Sequence, residues 1–326
     1  MKVLQNRLLF HLMAFSITAV WGTTFISTKV LLSNGMTPAW IFLIRFTIAY
    51  MGLWALCLQF RTKDMDGGSV NRLAVLSRSK KDELLFLLLG ITGGSLYFLT
   101  ENNALANTQA CNVSFIVCSA PLFVTILTIL ARKAFKGSMM DELEDVRVGL
   151  PLICGTIMAL GGMAMVIFDG NNLSLSVKGD LLSLAAALCW AVYSLFMSQM
   201  TNRYGTLFST RKVFFYGLIT IIPVILVSGQ PFPADTIFNN RAVWLNLLFL
   251  GFVASLVCFV GWNRAMAGLG NVTSTNYVYL NPVFTLVGAV LILDESMTWT
   301  SAIGSALIMG GVILAGIRKS IIVKRK

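Results

Sequence analysis

The chain has 326 residues, of which 56% are hydrophobic and 12% charged, and its formal net charge is +11. Soluble domains are about 45–50% apolar and about 25% charged, so there is too little polar surface here to cover a water-soluble fold. A basic stripe for DNA or RNA would need a folded soluble surface to carry it, and the longest polar stretch is only 61–83.

Segments of about 20 mainly apolar residues are long enough to cross ~30 Å of hydrocarbon. In chain order they are predicted at 8–32, 36–60, 84–104, 108–131 and 148–168, and then at 181–200, 212–228, 243–265, 271–293 and 298–317. The expected fold class is therefore all-α: a polytopic membrane protein of ten transmembrane helices. Lys2 and Arg7 precede the first apolar run as they would in a signal peptide. No small-residue cleavage pattern follows cleanly, so that run is expected to be retained. The stretch 61–83 mixes Arg61, Lys63, Asp64, Asp66, Arg78, Lys80 and Lys81, which reads as a solvated connection.

The second half of the chain repeats the first. With shifts that change by only a few residues, Trp21 falls on Trp190, Gly90 on Gly251, Phe98 on Phe259, Asn102 on Asn263, Val117 on Val278 and Pro121 on Pro282. Duplicated bundles of apolar segments are a mark of secondary transporters. The expected units are 1–168 and 169–326, each a five-helix repeat. Five is odd, so the second repeat enters the membrane inverted, and exchange between inverted halves predicts alternating access.

Basic residues test that topology. With the N-terminus in the cytoplasm, most Lys and Arg residues fall in cytoplasmic segments, only Lys178 and Arg241 fall outside, and Lys29 and Arg45 lie within spans. The positive-inside rule then places both termini in the cytoplasm.

Charges inside spans are costly and point to function or to pairing. Lys29, Arg45 and Glu101 fall at similar depth in spans one, two and three. One reading is a structural ion pair to Glu101, or snorkelling of Lys29. The other is that Glu101 carries a coupling proton, or that the cations meet an anionic group of the substrate. Tyr97 lies four residues before Glu101 and shares its helix face.

The polar run Thr100-Glu101-Asn102-Asn103 corresponds to Trp262-Asn263-Arg264 in the second half. Pro121 and Pro282 each remove a helical hydrogen bond near mid-span, a break tolerated where neighbours or a cavity satisfy the freed carbonyl. Around them lie Asn112, Ser114 and Ser119, and Thr275, Asn276, Tyr279 and Asn281. These read either as cavity lining or as interhelical hydrogen-bonding glue. Trp21 and Trp190 sit mid-span in equivalent helices, with Thr24 and Tyr193 one turn on, as cavity wall or as core.

Gly149, Gly155, Gly161 and Gly162 match Gly304, Gly310, Gly311 and Gly316. Small residues permit close helix approach, so spans five and ten read as scaffold or dimer surface. The six Cys residues lie in apolar spans without metal-ligand spacing, and His11 is the sole histidine. No metal or cofactor is expected.

Several runs together resemble the EamA branch of the drug/metabolite transporter superfamily. They are Trp21-Gly22-Thr23-Thr24-Phe25 with Lys29, Gly35, Pro38 and Arg45; Ala104-Leu105, Ala110 and Ser114 leading to Pro121; Gly179-Asp180-Leu181-Leu182 with Cys189-Trp190-Ala191; and Asn281-Pro282, Asp294-Glu295, Trp299, Gly304 and Gly310-Gly311. The resemblance implies ten helices as an inverted repeat, with a central cavity lined mainly by spans one, three, four, six, eight and nine. It also implies export of amino acids and other small metabolites, or, in related branches, exchange of sugar phosphates or nucleotide sugars.

The leading expectation is a multi-pass protein of the cytoplasmic membrane that exports a small metabolite, amino acids first, with lipid and small-molecule partners, a coupling proton, and a monomeric or homodimeric state. No nucleotide-binding Gly-rich loop is present, so energy would come from a gradient or from exchange. The alternatives are an exchanger of anionic phosphorylated metabolites, which needs a cluster of cavity cations, and an intramembrane enzyme. One histidine near the N-terminus supplies none of the catalytic sets such an enzyme uses.

Overall fold

The computed structural model describes residues 2–59, 75–108, 110–134, 149–168, 176–285, 287 and 299–316, and the regular structure among them is helical. The helices are α1 (Lys2–Ser33), α2 (Pro38–Gln59), α3 (Lys80–Asn107), α4 (Ala110–Val117), α5 (Ala120–Ala134) and α6 (Leu150–Phe168). The second half continues with α7 (Val177–Tyr204), α8 (Thr206–Ser228), the short α9 (Ala234–Asn239), α10 (Arg241–Leu269), α11 (Asn271–Thr275) and α12 (Trp299–Gly316).

Helix starts are set by capping. The Ser79 hydroxyl accepts the Asp82 N–H at 3.1 Å, and Asp82 and Glu83 put negative charge on the first turn of α3. Ser176 does the same for α7 through the Gly179 N–H, with Asp180 in the first turn. Both spans therefore begin before the apolar run predicted from sequence, because polar capping residues carry the helix beyond the hydrocarbon-like stretch. Two reversals are made on single glycines: Gly205 between α7 and α8 and Gly270 between α10 and α11, at φ +83° and +92°, where a side chain would be strained.

Among the described residues six helices are long and apolar enough to span a membrane: Arg7–Ser33, Pro38–Leu58, Lys80–Asn107, Val177–Tyr204, Thr206–Ser228 and Arg241–Leu269. Ala120–Ala131 and Leu150–Gly162 are shorter apolar helices. The predicted fourth span is not one continuous helix: α4 and α5 are separated at Cys118 and Ser119, immediately before Pro121. The predicted ninth span is α-helical in α11, turns 3-10 over Asn276–Leu280, and is helical again at 281–285 around Pro282. Both breaks fall a few residues ahead of the proline, which has no N–H to donate back up the chain and so sits in the first turn of the helix that follows.

Two spans carry a wide π-helical stretch, Ile91–Ser95 in α3 and Phe249–Val257 in α10. In α3 it contains a kink at Gly94 (φ −126°, ψ −107°). Such stretches leave carbonyl groups outside the normal ladder and bend the helix. They also lie where α3 crosses α8 and where α10 crosses α2: a Cβ on Gly90 would meet Tyr216 and the Gly217 backbone, and one on Gly251 would meet Ile48. Glycine at each crossing lets the helices touch.

The α6–α12 pair is the most extensive packing among the described elements. Gly162 lies against the Gly304 carbonyl, and Gly311 lies against the Gly155 carbonyl and the Ala159 backbone. Those glycines thus serve backbone approach within the chain.

The end of the bundle holding the N-terminus of α3 is tied by charge. Asp82 pairs with Arg203 at 2.9 Å and accepts a hydrogen bond from the Tyr204 hydroxyl, while Glu83 receives Lys212, Tyr216 and the Ser77 N–H. Arg211 lies over the Trp54 ring at 4.3 Å. Arg211 and Lys212, which the positive-inside pattern counts among the cytoplasmic cations, are buried.

Candidate functional site

Where α1, α2, α3, α7 and α10 converge with α4 and the segment after α11, the helices leave a narrow cavity of about 30 Å³. Its walls are mainly rings: Trp21 and Phe25 from α1, Tyr97 and Phe98 from α3, Trp190 from α7 and Phe259 from α10. Val117 and Val278 complete the apolar lining, and the polar groups are Arg45, Glu101, Asn281 and the hydroxyls of Thr24 and Tyr97. Concave, mostly aromatic sites with a few placed polar groups are the usual form of a small-molecule site.

The rings hold one another. Trp21 meets Trp190 edge to face at 5.4 Å between centroids, Trp262 at 5.0 Å and Phe259 at 5.4 Å. Tyr97 lies 5.2 Å from Trp190 and 4.7 Å from Phe98. Contacts of this kind contribute about 0.5–1.5 kcal/mol each beyond area burial.

The polar groups are anchored differently. The Trp21 Nε1–H donates to the Ala254 carbonyl at 3.0 Å, and the Arg45 Nε–H donates to the Ser255 hydroxyl at 2.9 Å. Ala254 and Ser255 both lie in the π-helical stretch of α10. The wide turn thus offers a carbonyl and a hydroxyl that orient two cavity residues. The Arg45 guanidinium also lies over Phe98 at 4.6 Å and Phe46 at 5.4 Å, and desolvated cation–π contacts of this kind contribute ~2 kcal/mol. Glu101 accepts the Tyr97 hydroxyl at 2.8 Å. Among the described residues Arg45 and Glu101 form no direct ion pair, although both are buried on the same cavity.

The sequence-stretch candidates divide into three sets. Trp21, Thr24, Tyr97, Glu101, Arg45 and Trp190 line the cavity together. Others are buried in cross-links or packing: Asn102 donates to the Pro38 carbonyl at 3.2 Å, and Asn263 accepts from Tyr193 at 2.6 Å and donates to Thr210 at 2.9 Å. The two asparagines paired by the duplication each fasten the third helix of a half to the second. Trp262 stands behind Trp21, fully buried, and Asn276 and Tyr279 are buried on the 3-10 segment, whose Val278 faces the cavity instead.

Lys29 is placed away from Glu101. Its Nζ donates to the Leu105 carbonyl at 2.6 Å and the Thr108 carbonyl at 3.0 Å, closing the C-terminal end of α3 with a positive charge. Pro121 and Pro282 follow the helix breaks already described, and the side chain of Asn112, on α4, lies outside the described residues. The residues that sequence reading missed are Phe25, Phe98, Phe259, Val117 and Val278. Phe98–Phe259 and Val117–Val278 were already visible as repeat pairs, and that pairing was the available signal.

No group of His, Cys, Asp and Glu among the described residues is arranged to hold a metal ion. The cavity's chemistry is that of recognition: apolar contact, one guanidinium, one carboxylate, one amide and two hydroxyls.

Comparison with known proteins agrees with a transporter. A crystal structure of a protein 20% identical in sequence superposes with a TM-score of 0.70 over 95% of this chain and 96% of its own. An uncharacterized transporter of Archaeoglobus fulgidus is 26% identical, covering 93% of this chain and 96% of its own. A probable terminal-alkyne amino-acid exporter of Streptantibioticus cattleyicolor is 26% identical over 90% and 89% of the two chains, and a probable amino-acid metabolite efflux pump of Escherichia coli is 25% identical over 93% of each. The model of the EamA-like transporter family matches residues 8–138 and 177–317. The chain, a multi-pass protein of the cell membrane, belongs to the EamA-like transporter family.

Proposed function

We propose that the protein is a secondary transporter that exports amino acids by alternating access. In this reading, ten spans form two inverted five-helix units, 1–168 and 169–326, with both termini in the cytoplasm. Glu101 carries the coupling proton. The observation that carries the reading is the cavity itself, whose lining comes from both halves and sets Trp21 against its repeat counterpart Trp190 around a buried Arg45 and Glu101. Two relatives named for amino-acid export support the substrate class.

The alternative of phosphorylated substrates requires several cations facing the cavity. Of the three considered, Arg45 lines it, Lys29 closes α3, and Arg264 lies over the Phe10 ring. A single guanidinium beside a carboxylate suits a singly charged carboxylate better than a phosphate dianion.

Counterflow of labelled amino acids into liposomes, with and without a pH gradient, tests the proposal. Saturable uptake by wild type, with its pH dependence lost in Glu101→Gln, is the expected outcome. No uptake of any amino acid by monodisperse, folded protein would overturn it.

A further inference from the structure

Two buried side-chain polar atoms on the cavity wall have no partner: the Trp190 Nε1–H, a donor, and the Asn281 Oδ1, an acceptor. Their residues are 4% and 5% exposed. Buried polar groups are almost always satisfied, and an unmade hydrogen bond in such a place is costly. The repeat counterpart of Trp190 has its partner, because Trp21 uses Ala254. The unpaired indole N–H is therefore a departure from the internal symmetry, in a residue that lines the cavity.

Arg45 shows the same incompleteness. It is 2% exposed and only its Nε is hydrogen-bonded among the described residues, although a guanidinium has five N–H donors. Glu101, the carboxylate on the same cavity, is engaged by Tyr97 instead. A buried cation without a directly bonded counter-ion is unfavourable unless a ligand completes it. The fork geometry of the remaining donors matches a carboxylate.

We infer that the cavity reads its substrate as a zwitterion with an uncharged side chain: Arg45 and the Trp190 N–H take the α-carboxylate, and the Asn281 amide oxygen takes the α-ammonium. This deepens the amino-acid reading above and rests on it. The Glu101 carboxylate on the same wall repels a second negative charge, and the ring walls leave the substrate side chain apolar surface to pack against.

The test uses full-length protein in liposomes with labelled phenylalanine, competed by phenethylamine, which lacks the carboxylate, and by 3-phenylpropanoate, which lacks the ammonium. A site built around a polar group rejects an analogue lacking it strongly, by well over 100-fold when fully buried. Wild type should bind each analogue at least about 100-fold more weakly than phenylalanine. Arg45→Gln should lose the preference over phenethylamine while still rejecting 3-phenylpropanoate, and Asn281→Leu should do the reverse. Trp190→Phe, which keeps the ring, should weaken phenylalanine about tenfold with less effect on phenethylamine.

Wild type accepting both analogues within threefold of phenylalanine overturns the inference without any mutant. So does an Arg45→Gln protein that is folded and still discriminates against the amine. Either result leaves amino-acid transport standing, whereas absence of counterflow for every amino acid overturns the transport reading and this inference together.

Discussion

The two spans with wide turns, α3 and α10, are paired by the duplication but do different things. In α10 the π-helical stretch presents the Ala254 carbonyl and the Ser255 hydroxyl, which hold Trp21 and Arg45 in place. In α3 the corresponding positions are Gly93 and Gly94, and Gly93 lies directly against the Tyr193 ring. There the wide turn makes room, and the functional groups Tyr97 and Glu101 come one to two turns later. One ancestral bend has become an anchor in one half and a packing notch in the other. The asymmetry leaves Trp190 unbonded while Trp21 is fastened.

The sharpest way to break that comparison is to fill the notch. Gly93→Leu would force a side chain into the Tyr193 ring, and overpacking at a buried helix crossing costs about 3 kcal/mol. Thermal unfolding in detergent should show a large fall or no folded protein. Removing the anchor comes next: Ser255→Ala deprives Arg45 of its hydroxyl partner, a bond to a charged group that contributes about 1.5–3 kcal/mol. A lower melting temperature should accompany a roughly tenfold rise in KM for phenylalanine, by the same bond's worth.

A paired substitution separates the two tryptophans. Trp21→Phe loses the hydrogen bond to Ala254, which should cost about 1 kcal/mol beyond the lost ring volume. Trp190→Phe also loses ring volume but breaks no hydrogen bond of the empty protein, so it should lose about 1 kcal/mol less stability than Trp21→Phe while transport falls. Equal stability losses in the two variants would remove the asymmetry on which the comparison stands. The smallest effect is expected from Gly161→Ala, where nothing lies within 4 Å of the added carbon: a change within about 0.5 kcal/mol, in the stabilising direction from helix propensity.

Much of this was legible before any coordinates. Apolar segment lengths located the helices because hydrocarbon crossing imposes them, and the repeat pairing marked Trp21 and Trp190 as equivalent mid-span residues, cavity wall or core. Tyr97 and Glu101 followed from their four-residue spacing. Helix starts were misjudged where Ser79 and Ser176 cap beyond the apolar run, since capping is a hydrogen-bond signal rather than a hydropathy one.

The roles of the intramembrane polar groups were less legible. Lys29 and Asn263 looked like site residues by polarity alone, yet they meet backbone or side-chain partners within the bundle, whereas Asn102 donates to Pro38 but keeps an unpartnered Oδ1. Polarity says that a buried group needs a partner, and only packing says whether the protein already provides it. Nor does composition reveal a π-helical turn, so the link from α10 to Arg45 and Trp21 was out of reach. Phe98 and Phe259 were in plain view as a repeat pair, but as apolar residues in apolar spans they carried no chemical mark.

The central claim is that the cavity around Trp190 is the substrate site. It is tested most directly by titrating phenylalanine against folded protein and following binding by isothermal calorimetry, comparing wild type with Trp190→Phe and with Trp54→Phe, whose ring lies outside the cavity beside Arg211. The account predicts saturable binding that is weakened about tenfold by the cavity substitution and unchanged by the distant one. Binding indifferent to Trp190 and lost with Trp54 would place the substrate elsewhere and contradict it.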